Sequence, residues 1–229
     1  MLNNNRISLV IPVLNEENNI GLLLSCVPKS IDDIIIVDNG SVDGTVGECR
    51  RLGAQVIYEK KKGYGSALRT GILSADGDII VCMDGDATYP LIEAQGLLND
   101  VVNNDYDFVS AERILIRDAK GMQILNKMGN KLISWCIRKY FGVRINDSQS
   151  GMWVFKRKIT SKILPISPGM DFSQEIKLRA WLKPDIRCNE IKVKYCLRSS
   201  GKSKFRRIRD SFLVLNSFLK LAKEFRDFI

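Results

Sequence analysis

A chain of 229 residues with 45% hydrophobic and 27% charged residues can bury a full core, in one large α/β domain or two small ones. No apolar run is long enough to cross a bilayer, the opening MLNNNRISLVIPVLNEE is too broken for a signal peptide, and six cysteines without a CxxC pair suggest reduced thiols in a cytosolic protein. The absence of histidine argues against zinc sites and histidine-based triads, while the net charge of +9 conceals an asymmetry: residues 1–112 hold 8 Lys+Arg against 17 Asp+Glu, and residues 113–229 hold 27 against 9. The second half is therefore expected to meet something anionic: nucleic acid, a phosphorylated ligand or an acidic lipid surface.

In chain order, RISLVIPVL reads as a strand and NEENNIGLLLSCV as a helix capped by Asn15. IDDIIIVDNG is a second strand, followed by the helical SVDGTVGECRRLG, which Gly53 closes. AQVIYEK and the helix GYGSALRTGILSA come next, then the strand DIIVCMDG and a helix entered through Pro90. YDFVSAE is a fifth strand. Such alternation predicts parallel strands joined by right-handed crossovers, with ligands at the carboxyl ends of the strands. The polar clusters Asn15–Glu16, Asp38–Asn39, Asp84–Asp86 and Glu112–Arg113 all fall there.

Beyond residue 112 the pattern is less regular. Residues 121–141 have helical spacing with apolar and basic character, MWVFKR and IRCNEIKVKYCL read as strands, and DFSQEIKLRAWL is a helix between them. The segment RRIRDSFLVLNSFLKLAKEFRDFI is a long amphipathic helix. Phe212, Leu215, Leu219 and Ala222 form one stripe, with Val214, Phe218, Leu221 and Phe225 beside it. It could lie in a membrane interface, where nearby basic residues add about 1 kcal/mol each, or pack on its own domain or a second subunit. No linker rich in Gly, Ser or Pro divides the chain.

In DIIVCMDGDATYP, an apolar strand delivers Asp84 and Asp86 with only Gly85 between them. Side-chain alternation would set both carboxylates on one side, as a repulsive pair or a cation site. A magnesium ion prefers one or two carboxylates together with phosphate oxygens and water, so the pair suits a diphosphate ligand. Taken alone, an Asp-rich surface turn is an equally natural reading.

The ordered set VIPVLNEENNI, IIVDNGSVDGT and DGDIIVCMDGDATYP resembles the family 2 inverting glycosyltransferases, with the closer likeness to dolichyl-phosphate (polyprenyl-phosphate) sugar synthases. The resemblance implies an α/β GT-A fold: one domain over 1–229 with a mostly parallel central sheet flanked by helices. Within it, 1–112 would hold donor and metal, 113–206 the acceptor, and 207–229 an amphipathic helix. It also implies a nucleotide-sugar donor (UDP- or GDP-), Mg²⁺ or Mn²⁺ on Asp84 and Asp86, and a polyprenyl or dolichyl phosphate acceptor. The enzyme would work peripherally at the cytoplasmic membrane surface.

By the same resemblance, Pro12, Asn15, Glu16, Asp38, Asn39, Ser41, Arg69, Asp84, Gly85, Ser203 and Lys204 would bind the nucleotide-sugar. Asn39 replaces an aspartate of the family's pattern, and Thr88 stands where these synthases often carry a glutamine. Asp86, Asp147, Glu175 and Arg198 would be catalytic. Arg113, Lys127, Asn130 and Lys131 would meet the lipid phosphate, although Asn126 and Asn130 replace an arginine and a serine. The QxxRW signature of processive synthases is absent.

The Arg198–Lys204 segment suits a diphosphate; as a nucleic-acid tail it would need aromatic or recognition-helix partners, so no nucleic acid is expected. A homodimer or a membrane-anchored partner subunit is compatible with the sequence. Two alternatives keep part of this reading: the same donor site with a soluble sugar or glycolipid acceptor, or a non-catalytic membrane module. A nucleotidyltransferase should carry a Gly-rich phosphate loop near its start, and IPVLNEENN has none.

Overall fold

The computed structural model describes residues 2–115, 121–196, 198 and 207–225. Ser203 and Lys204 lie outside these residues, as do the side chains of Asn126 and Lys127. The described strands form one sheet in the order β3-β2-β1-β4-β6-β5-β7. They are β1 (Ile7–Val13), β2 (Asp33–Asp38), β3 (Gln55–Tyr58), β4 (Ile79–Cys82), β5 (Phe108–Leu115), β6 (Trp153–Lys156) and β7 (Cys188–Tyr195).

β1 is buried at all seven positions, as a central parallel strand with both faces covered must be. Its side chains alternate: Leu9 and Ile11 pack with α1 (Glu17–Ser25) and α4 (Ala94–Asn103), whereas Val10 joins α3 (Tyr64–Ser74) and α7 (Phe172–Trp181). Proline is out of place inside a sheet unless its missing N–H faces no partner strand. Pro12 meets that condition, because β4 pairs with β1 only over Ile7–Val10. The β1–β2, β2–β3, β1–β4 and β5–β7 pairs are parallel.

β6 runs antiparallel between β4 and β5, so a segment late in the chain completes the middle of the sheet. The expected boundary near residue 112 falls inside β5 and does not divide the sheet.

α5 (Gly121–Phe141), α7 and α8 (Arg207–Glu224) enclose a smaller apolar cluster of Ile137, Phe141, Leu178, Leu221 and Phe225. The two stripes read on the last helix therefore separate. Val214, Leu221, Ala222 and Phe225 are buried, while Phe212, Leu215 and Leu219 remain exposed. On α5, Met128, Leu132 and Trp135 are likewise exposed, at helical spacing.

One expected cap is not formed. α1 begins at Glu17 after a Glu16 cap position, and Asn15 sits in the left-handed region at φ +50°. Its side chain is used across the loop instead: Oδ1 accepts from the Val42 amide, and the Asn15 amide donates to Ser41 Oγ.

Candidate active site at the carboxyl edge of the sheet

Three strand ends converge where the parallel topology places ligands. At the end of β2, Asp38 is buried, and its carboxylate accepts the amides of Gly40 and Ser41. It therefore shapes the turn that carries Ser41.

Asn39 explains its own departure from the aspartate of the family pattern. Its Nδ2 donates to the carbonyls of Glu59 and Lys61, and its Oδ1 accepts from the Gly63 amide. A carboxylate could accept from Gly63 but could donate to neither carbonyl. Asn39→Asp is thus expected to cost about 1–3 kcal/mol, read as a lower urea midpoint, with loosening of the 59–63 loop.

Asp84 and Asp86 do not owe their placement to strand alternation, since β4 ends at Cys82 and both lie in the turn beyond it. Gly85 is required there: a Cβ would come within 2.9 Å of Val13 and 3.0 Å of the Pro12 carbonyl oxygen. Ala87 then takes φ +58° and Thr88 folds back, its amide and hydroxyl both donating to Asp86 Oδ1, at 3.1 and 2.6 Å. The other Asp86 oxygen accepts from Arg198 at 2.8 Å, and the same guanidinium nitrogen lies 3.2 Å from Glu16. Asp84 accepts from the Tyr64 hydroxyl at 2.7 Å. Burial and the neighbouring Asp86 charge push the Asp84 carboxyl up to about 6.

The 146–151 loop, which precedes β6, lies directly against this pair. A Cβ on Gly151 would stand 2.3 Å from Asp84 Oδ2, so only glycine admits the observed carboxylate position. The Gly151 amide donates to the buried Tyr89 hydroxyl. Gly151→Ala is expected to keep the fold at a cost of about 1–3 kcal/mol while displacing Asp84. Cation binding, followed by the change in melting temperature with Mn²⁺, should weaken with it.

Asp147, expected to be catalytic, occupies the same loop and is bonded to Arg113 and Asn130. Its carboxylate accepts from Arg113 Nε and Nη2 at 2.7 and 2.9 Å and from Asn130 Nδ2 at 2.7 Å. Burial alone would raise its pKa, but the Arg113 charge and hydrogen bonds override that and hold Asp147 well below the usual carboxylate range. Arg113 and Asn130, expected at the acceptor phosphate, are thus brought together by Asp147.

Two expected residues are occupied elsewhere. Arg69 donates to the Pro165 carbonyl at 2.9 Å rather than reaching the strand ends. Glu175 is buried with both oxygens engaged, one by Arg179 and the other by the Ser167 hydroxyl, and Arg179 extends the link to Glu224 of α8. This arrangement ties α7 to α8. Lys131 is exposed on α5.

Sequence reading passed over Tyr64, Tyr89, Lys177 and Glu190. A tyrosine in a loop or a lysine on a helix carries no local signal that would single it out. Lys177 is in fact fully buried, its Nζ 2.6 Å from the Asp147 carbonyl oxygen and 2.5 Å from Ser150 Oγ. Glu190 of β7 accepts the amides of Asn146 and Asp147.

Among the described residues, this edge brings Glu16, Asp84, Asp86 and Arg198 together at the expected donor corner, and Arg113 and Lys177 with Asp147 and Glu190 at the expected acceptor corner. The glycosyl transferase family 2 model matches residues 8–164, and the chain belongs to that family. It is a glycosyltransferase of the GT-A fold.

Among its relatives is a dolichyl-phosphate hexose transferase of Haloferax volcanii, 32% identical over 160 residues, which span 69% of each chain. An undecaprenyl-phosphate 4-deoxy-4-formamido-L-arabinose transferase of Aeromonas hydrophila is 27% identical over 87% of this chain and 62% of its own. Among solved structures, the glucosyl-3-phosphoglycerate synthase of Mycobacterium tuberculosis, bound to Mn²⁺, UDP and glucosyl-3-phosphoglycerate, superposes with a TM-score of 0.79. It is 19% identical, the match covering 95% of this chain and 80% of that one, and it shares the fold.

Proposed function

We propose that the chain moves a hexose from a nucleotide-diphosphate sugar to a polyprenyl phosphate, with inversion at the anomeric carbon. The observation that carries this reading is the Asp84–Asp86 turn, two carboxylates one residue apart with Gly151 pressed against the first and Arg198 on the second. Burial and the Asp86 charge push Asp84 up. A divalent cation on the pair would offset that repulsion and that burial cost. The donor set fits Mg²⁺ or Mn²⁺, which needs only one or two carboxylates when phosphate and water complete the shell. Asp84 and Asp86 would hold it, and it would neutralise charge on the departing diphosphate. The metal-bound neighbour and the polyprenyl-phosphate relatives support this choice.

In the reaction a phosphate oxygen of the acceptor forms the bond to the anomeric carbon, and the bond from that carbon to the donor diphosphate breaks on the opposite face. A phosphate is already ionised near pH 7, so the reaction requires no strong general base, and a chain without histidine loses nothing. Arg113 retains free N–H groups after its two bonds to Asp147, enough to receive the acceptor phosphate. Arg198 stands beside the diphosphate position through Asp86. Catalysis would then rest on positioning and fixed charge.

No helix among the described residues is long and apolar enough to cross a membrane. The exposed Met128, Leu132 and Trp135 of α5 and Phe212, Leu215 and Leu219 of α8, with Lys131, Lys139, Lys220 and Lys223 beside them, favour attachment to an anionic membrane surface. Replacing Phe212, Leu215 and Leu219 together by serine is expected to leave the fold intact and abolish flotation with anionic vesicles.

The test of the reaction is transfer from labelled UDP- and GDP-sugars to a short polyprenyl phosphate, with and without Mn²⁺ or Mg²⁺. Metal-dependent product in the lipid phase is the expected result. Donor hydrolysis without lipid product would redirect the acceptor to a soluble sugar or a glycolipid, and the absence of donor turnover would remove the transferase reading.

A further inference from the structure

Lys177 has no part in the chemistry so far described, yet it is among the most deeply buried side chains of the protein. A lone ammonium in such a place is costly, and the group would shed its charge unless partnered. Burial does lower it, to about 8, against the opposing pull of Asp147 and Glu190.

Its hydrogen bonds are specific. Nζ donates to the carbonyl oxygen of Asp147 and to the hydroxyl of Ser150, the two ends of a four-residue stretch. Glu190 acts from the opposite direction, accepting the amides of Asn146 and Asp147. Ser150 is held further by Ser110 Oγ at 3.3 Å and by Trp153 Nε1, which donates to its carbonyl. The next residue, Gly151, is the one against which the Asp84 carboxylate lies. At the other end, Asp147 aims the Arg113 guanidinium. One buried cation thus fixes a segment whose two ends govern a residue of the donor corner and a residue of the acceptor corner.

We propose that Lys177 is a positioning residue of the transferase: by fastening Asp147 and Ser150 it sets the spacing between the Asp84–Asp86 pair and Arg113, and so the alignment of acceptor with donor. It touches neither substrate. The activity arm of this inference rests on the proposed transfer reaction, whereas its structural arm does not.

The test compares wild type, Lys177→Met, Ser150→Ala and the double variant. Methionine keeps the apolar stem and removes the donors. Ser150→Ala removes one tether without leaving a buried charge unpaired, and so serves if Lys177→Met does not fold. Hydrogen exchange is expected to quicken at the amides of residues 146–151 in each variant, while β1 and β2 stay protected. Turnover with a UDP- or GDP-sugar that the wild type uses should fall by about 10–100-fold in Lys177→Met, with a much smaller loss of donor affinity by equilibrium dialysis. Because both residues act through one loop, the double variant should be no slower than Lys177→Met.

Unchanged exchange at 146–151 in Ser150→Ala, full turnover in Lys177→Met, or additive losses in the double variant would each overturn the proposal. If the wild type turns over no donor, the transfer reading fails and the exchange result alone decides the role of Lys177.

Discussion

Asp86→Ala is expected to lower sugar transfer by about 10²–10³-fold, the loss typical of deleting one preorganised charge-stabilising group. One Asp86 oxygen is bonded to Thr88 and the other to Arg198, so alanine removes a carboxylate proposed to hold the metal and leaves Arg198 its Glu16 contact. The fold should not suffer. Asp86 is one of the charges that raise Asp84, and its removal relieves a like-charge contact. The melting temperature without cation should therefore stay close to that of wild type, the relieved repulsion offsetting the lost Thr88 and Arg198 bonds. Mn²⁺ with UDP or GDP, which should raise the wild-type melting temperature by binding only the folded state, should no longer do so. Retention of transfer together with that thermal shift would remove Asp86 from the site.

The second large effect is on stability. Asp147→Ala leaves the Arg113 guanidinium partly buried without its carboxylate, and removal of one member of a buried pair costs about 3–5 kcal/mol. Asp147→Asn keeps the shape and one acceptor oxygen, and should cost less. The pH dependence follows from the direction of the shift. A carboxylate held below its ordinary value in the folded protein stabilises fully only where the unfolded chain is already ionised, above a pKa of about 4. The advantage of wild type over Asp147→Asn should therefore be constant from about pH 5 to 7. It should shrink as the pH falls below about 4, toward the folded-state pKa. Urea midpoints over that range measure it, and a gap that is still undiminished at pH 3 would contradict the assignment of Arg113 as the dominant partner.

Much of residues 1–112 was legible because the signals there are local. A strand's apolar run, the turn residues after it and the helix that follows lie within a few residues of one another, so Pro12, Asp38, Asp84 and Asp86 could be placed at strand ends. The remainder depends on contacts distant in sequence. The bond from Lys177 to Asp147 spans 30 residues and that from Asp147 to Glu190 spans 43. On a helix read by periodicity, Lys177 resembles any charged surface position, and Glu190 any polar residue of an outer strand. The surroundings of Glu175 were hidden for the same reason: its neighbours Ser167 and Arg179 are close in sequence, but the Glu224 that completes the link lies on α8. The antiparallel direction of β6 was also hidden, since an apolar strand of four residues carries no mark of which edge it will join.

That strand has a consequence for biogenesis. Until residues 153–156 have left the ribosome, β4 has its partner β1 on one side only, and the row of peptide groups on its other side stays open. A nascent chain ending near residue 112 would expose an apolar edge of Ile79, Ile80, Val81 and Cys82. The sheet lacks its middle strand, and the aspartate turn lacks the loop that confronts it, until the same stretch of chain around residues 146–156 has emerged.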